Sequence, residues 1–160
     1  MNTPIRVKRD VFISHSNKNE ETCRFVVRML VQAGVEEDRI FCTAIPEIGI
    51  QGNDFPQEIV DCLESSKFNI ILLSKDYVKS PACLNEAGVI WFRYRSKKSI
   101  PMFCLAEKAF KFPQARGFIN SNVFEFFRLS EREKENSIRR LCENARAALN
   151  IKGQYKLSFV

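Results

Sequence analysis

The sequence predicts an α/β fold, a parallel sheet covered by helices on both faces. Short apolar, β-rich runs alternate with longer amphipathic stretches along the chain, the rhythm of strand–helix–strand units. The run Asn69-Ile70-Ile71-Leu72-Leu73 is apolar without alternation, as a central strand covered on both faces must be. Finally, 160 residues that are 45% hydrophobic and 28% charged supply core enough for one domain, expected to span 1–160. That composition excludes a rod, a collagen-like chain and a disordered tail.

Each element has its own signal. Asp10-Val11-Phe12-Ile13 reads as a buried strand that ends at the polar Ser14-His15-Ser16-Asn17. From Glu20 to Ala33, residues Cys23, Val26, Val27, Leu30 and Val31 fall at helical spacing, with Gly34 as the stop. Arg39-Ile40-Phe41-Cys42 is a second short strand. A loop from Ala44 to Asp54 holds Pro46, Gly49 and Gly52, and a helix follows from Phe55 to Ser65, with Asp54 as N-cap and Pro56 in its first turn. After the central strand, Ser80-Pro81 is an N-cap followed by a first-position proline, opening a helix that runs through Trp91 to about Arg95. Ile100 to Leu105 and Phe124 to Phe127 are the last strands. A charged helix from Glu131 to Leu149 places Ile138, Leu141, Cys142 and Ala145 on one face.

The charge balance of 25 basic against 19 acidic residues, +6, suits anionic partners without demanding nucleic acid. The basic cluster Arg93 to Lys98 is accounted for by the dipole of the helix it ends. No apolar run has the length of a signal peptide or a membrane span, so a cytoplasmic protein is expected. The six cysteines are dispersed, without a C-x-x-C pair, and the single histidine, His15, is not near them in sequence. Metal-site spacing is therefore absent, no metal is expected, and reduced buried thiols are.

In an open doubly wound sheet, ligands bind beyond the carboxyl ends of the strands. Three strand ends deliver polar or flexible groups there: Ser14-His15-Ser16, then Thr43 with its glycine-containing loop, then Ser74-Lys75-Asp76. The following helix carries Glu86. No G-x-S-x-G elbow or second histidine supports a serine triad, and Gly49-Ile50-Gln51-Gly52-Asn53 lacks the ending of a P-loop. Cys83, at a helix start where a thiol pKa can fall, is expected to pack or to line the cleft.

The segments DVFISHS, IPEIGIQGNDF, NIILLSKDYVKSPACLNE and IPMFCL, in this order, resemble a TIR (Toll/interleukin-1 receptor) domain of the short, stand-alone bacterial type, over roughly residues 9 to 150. The resemblance implies a flavodoxin-like three-layer fold around a central parallel five-stranded sheet. It also implies NAD cleavage with Glu86 as the catalytic carboxylate, as in the signal-producing TIR proteins of antiphage defence such as Thoeris systems. NAD-binding positions would be Ser14, His15, Ser16, Thr43, Gly52, Phe55, Ser74 and Cys83. NAD is then the substrate, no separate cofactor is needed, and the product is ADP-ribose or a cyclic or modified ADP-ribose. Implied partners are other TIR domains, an effector reached through the product, and a phage-derived trigger; no membrane or nucleic-acid partner is implied. Where many members carry Trp four residues before the glutamate, this chain has Ala82, which opens the pocket mouth. The alternative reading is a non-enzymatic adaptor acting through TIR–TIR contacts.

Overall fold

The central strand decides the architecture. Phe68–Leu73 (β3) is buried along its length, and each face of it needs a helical layer. A computed structural model describes residues 9–42, 55–96, 99–111, 119 and 125–159. It shows, in chain order, β1 (Val11–Ser14), α1 (Glu20–Gln32), β2 (Ile40–Phe41), α2 (Phe55–Ser65), β3, α3 (Pro81–Arg95), β4 (Met102–Ala106), β5 (Phe126–Arg128) and α4 (Lys134–Ala148). The five strands form one sheet in the order β2-β1-β3-β4-β5, and every pairing is parallel.

Residues along β3 alternate between two cores, as the two-residue repeat of a strand requires. Phe68, Ile70 and Leu72 join α1 and α4 through Val26, Leu30, Ile138 and Leu141. Ile71 and Leu73 join α2 and α3 through Leu63, Ala87, Ile90 and Tyr77. The result is three layers. Because β1 is flanked by β2 on one side and β3 on the other, the chain reverses its direction of winding there. The carboxyl ends of β1 and β3 thus border the crevice where ligands are expected.

The elements match the sequence reading with shifted ends. β2 keeps only Ile40 and Phe41 of the expected four residues. β4 begins at Met102, because Pro101 has no N–H to donate to a ladder and restrains the residue before it. The helix expected from Glu131 starts at Lys134, behind a turn in which Ser130 Oγ donates to Glu133 and Lys134 N–H donates to the Ser130 carbonyl.

One further expectation is corrected and another is extended. Cys23 and Cys42 form a disulfide from α1 to the end of β2, while Cys62, Cys83, Cys104 and Cys142 are buried. The two bonded residues are 19 apart in sequence, and only parallel pairing of β1 with β2 under α1 brings them together. Arg93, in the last turn of its own helix as expected, has a further role. It reaches to the end of α2, donating to the carbonyls of Leu63, Glu64 and Ser66 and to Ser66 Oγ. No described helix is long and apolar enough to cross a membrane.

Candidate active site at the ends of β1 and β3

Ser14 is the last residue of β1 and is 1% exposed. Its register partner on β3 is Ile71, so its hydroxyl stands at the sheet edge where β3 gives way to the turn before α3. That turn carries Tyr77, fully buried. Ser80 caps α3, accepting from Cys83 N–H at 3.3 Å, and Pro81 sits in the first turn. This start sets the phase of the helix and brings Glu86 back over β1.

The three side chains meet in a short chain of hydrogen bonds. Ser14 Oγ lies 2.5 Å from Glu86 Oε2 and 2.8 Å from Tyr77 Oη. Tyr77 Oη in turn donates to the Cys83 carbonyl at 3.0 Å. Among the described residues no cation pairs with Glu86. Burial therefore lifts its carboxyl to about 7, against the lowering effect of the Ser14 hydroxyl. Burial also holds the Tyr77 phenol well above its ordinary value, so it remains a neutral hydroxyl.

Proton counting shows how the chain serves both states of Glu86. With the carboxylate ionised, Ser14 donates to it, and the single Tyr77 proton is shared between Ser14 Oγ and the Cys83 carbonyl. With the carboxyl protonated, donation runs one way: Glu86 to Ser14, Ser14 to Tyr77, Tyr77 to the carbonyl. Both states are accommodated by rotating two hydroxyls.

A second network lies beside the first. Ser74, fully buried, donates to Asn19 Oδ1 at 2.6 Å and accepts from Tyr77 N–H at 3.0 Å. Asn19 Nδ2 donates to Glu107, on the loop after β4. Glu107 is raised by burial first and by the nearby Asp76 charge second. A cavity of about 590 Å³ opens past Glu107, with Phe25, Arg28, Lys108 and Lys134 in its wall. Glu86 does not line it.

The remaining sequence-derived positions divide. His15 is 6% exposed; its Nδ1 lies 3.3 Å from the Ile13 carbonyl and its Nε2 is buried without a partner among the described residues. Burial lowers its pKa, which favours the neutral ring. Ser16 caps the turn before α1, accepting from Lys18 N–H. Cys83 Sγ donates to the His15 carbonyl at 3.6 Å, and burial raises its thiol, contrary to the lowering that a helix start can bring; the side chain packs in the α2–α3 core. Phe55 is the first residue of α2. Thr43 and Gly52 lie outside the described residues. Ala82 is exposed four residues before Glu86, and Trp91 is half-buried against the α2–α3 core. Sequence reasoning missed Tyr77, Asn19 and Glu107. Their only signal was proximity to a strand end, which many surface polar residues share.

A family model described as "TIR domain" matches residues 11–142. The chain belongs to the TIR domain family. A curated relative is the uncharacterized protein YddK of Bacillus subtilis (strain 168), 34% identical over 89 residues, which are 53% of this chain and 32% of YddK. This chain thus spans about a third of the length of that relative. Among solved structures, the TIR domain of the Toll-related receptor TRR-2 from Hydra magnipapillata superposes with a TM-score of 0.63 at 19% identity. The match covers 89% of this chain and all of the receptor domain, and it shows the shared TIR fold.

Proposed function

We propose that this TIR domain cleaves NAD between nicotinamide and ribose in the cytoplasm. Its product would be ADP-ribose or a cyclic or modified ADP-ribose that signals in antiphage immunity. The observation that carries this reading is Glu86, a carboxyl with no cation beside it among the described residues, held by Ser14 at the strand edge where ligands of such sheets bind.

The chemistry needs little more. Nicotinamide leaves NAD as a neutral molecule, so no general acid is required. Positive charge moves onto the ribose as the bond opens, in an oxocarbenium-like transition state. An ionised Glu86 stabilises that charge, and low local polarity strengthens the attraction. Ser14 fixes the carboxylate, and Tyr77 fixes Ser14. Water captures the ribosyl cation and loses a proton to give ADP-ribose; an adenine nitrogen of the same molecule captures it to give a cyclic ADP-ribose, one water lighter. Exposed Ala82 leaves room beside the carboxylate where a larger ring would stand. Self-association with further copies and an effector reached through the product complete the proposal.

The test is concentrated protein with NAD, products resolved by mass spectrometry, beside Glu86→Ala. Nicotinamide release is expected from the parent, with a loss on the order of 10²–10³-fold or more in the variant. Activity indifferent to Glu86 would overturn the mechanism. Absence of turnover at every protein concentration, with binding to other TIR domains intact, would favour the adaptor.

A further inference from the structure

The sequence spacing of cysteines and histidine holds no metal pattern, yet the fold assembles one. A ring nitrogen of His15 and the sulfurs of Cys23 and Cys42 all lie within 4.8 Å of one another, and all three residues are buried. His15 follows β1, Cys23 comes from α1, and Cys42 follows β2, so three separate elements converge on the point.

We propose that Cys23, Cys42 and His15, with both sulfurs reduced, form a buried three-ligand site for one thiophilic d¹⁰ cation, Zn²⁺ or Cu⁺.

Four features support it. Among the described residues the histidine Nε2 is a buried polar atom without a partner, in a residue only 6% exposed; such an orphan calls for a ligand. The other ring nitrogen faces the Ile13 carbonyl, the arrangement by which a backbone oxygen fixes the tautomer of a metal-bound imidazole. Two thiolates and one imidazole are the donors that soft ions select. The Cα atoms of Cys23 and Cys42 are 7.4 Å apart, wider than a disulfide ordinarily spans. Among the described residues no fourth ligand joins them, which suits three-coordinate Cu⁺ directly and Zn²⁺ with one added donor.

Disulfide and ion exclude each other. A dithiol reductant gives two electrons and two protons to the bonded sulfurs and leaves as its own cyclic disulfide. The ion then displaces the thiol protons on binding. His15 is next to Ser14, so an ion there would tie down the strand end that holds Glu86.

The test uses the full chain, reduced and anaerobic, with chelator-competition titrations for Zn²⁺ and for Cu⁺ in separate arms and Co²⁺ absorption as the spectroscopic probe. One equivalent of ion is expected, with thiolate-to-cobalt charge transfer and a raised melting temperature. The same protein oxidised to the disulfide is expected to bind none. Cys23→Ser and His15→Gln should each weaken binding by on the order of 100-fold or more. Reduced parent protein that takes up neither ion overturns the proposal, as does uptake that survives oxidation. If the variants fail to fold, the reduced-against-oxidised comparison decides alone, since it changes no residue. None of these readings uses NAD, so they stand or fall apart from the proposed reaction.

Discussion

At the scale of residues, Glu86 works against its surroundings. The proposed reaction requires a charge there, and burial opposes that charge. Two outcomes follow from the lifted carboxyl. The rate of NAD cleavage is expected to rise with pH as Glu86 ionises and to level off above about 7, read as kcat/KM against pH. Ser14→Ala removes the hydrogen bond that lowers this pKa, so the midpoint should move alkaline; an unmoved midpoint would separate the profile from Glu86. The second outcome concerns stability. Between 4.5 and about 7, the folded carboxyl holds its proton while the unfolded one has lost it. Stability therefore falls as pH rises through that window, by up to about 3 kcal/mol above pH 7. Glu86→Gln should raise the melting temperature at pH 8 clearly more than at pH 5, while abolishing activity. An equal effect at both pH values would show that ionised Glu86 is not strained by burial. The motif made Ser14 and Glu86 legible in sequence. Tyr77 was not legible, because its role comes from a tertiary contact 63 residues away from Ser14.

At the scale of elements, two helices, α1 and α4, end alike, and arginines of α4 and α3 reach across to the ends of α1 and α2. Gly34 follows α1 at φ +98°, with Gly34 N–H donating to the Val31 carbonyl and Val35 N–H to that of Leu30, a Schellman closure. Asn150 does the same after α4 at φ 55°. Arg146 of α4, 9% exposed, donates to the Ala33 carbonyl at 2.6 Å and to that of Gly153. Arg93 of α3 does the corresponding service for α2. The Gly34 stop was visible in sequence as punctuation. The arginines were not, since a basic residue late in a helix reads first as serving its own dipole. A Cβ on Gly34 would meet Arg146 Nη1 at 3.2 Å. Gly34→Ala is therefore expected to cost about 1–2 kcal/mol from its left-handed backbone, plus the displacement of that guanidinium. Arg146→Met should cost about 1–3 kcal/mol by leaving the Ala33 carbonyl unpaired. Because the two changes share one contact, the double variant should lose less than their sum in urea unfolding. Strict additivity would mean that the guanidinium shifts aside freely.

At the scale of the whole molecule, strand identity and parallel direction were readable because each is written locally, in the apolar run of β3 and the helical spacing between strands. Contacts between distant segments were not, and the Cys23–Cys42–His15 cluster is the clearest case. One further consequence belongs to the molecule as a whole. On α3, Val89 lies one turn beyond Glu86 and is 43% exposed; Phe92 lies one turn further and is 67% exposed. Single exposed apolar side chains are ordinary, but this pair extends outward from the carboxylate along one helix. With self-association part of the proposed function, a second copy is the occupant that would cover them. Each copy carries +6, so copies repel, and moderate salt should help them meet by screening. The expected result is a specific activity that rises with protein concentration, with the rise shifted to lower concentration by added salt. Phe92→Asp should move it to higher concentration without changing the Glu86-dependent product, because the exposed Phe92 takes no part in the hydrogen bonds among Ser14, Glu86 and Tyr77. Sedimentation of the same samples checks the cause, since association and activity should climb together. A flat specific activity, equal in the parent and in Phe92→Asp, would show that a single copy completes its own site.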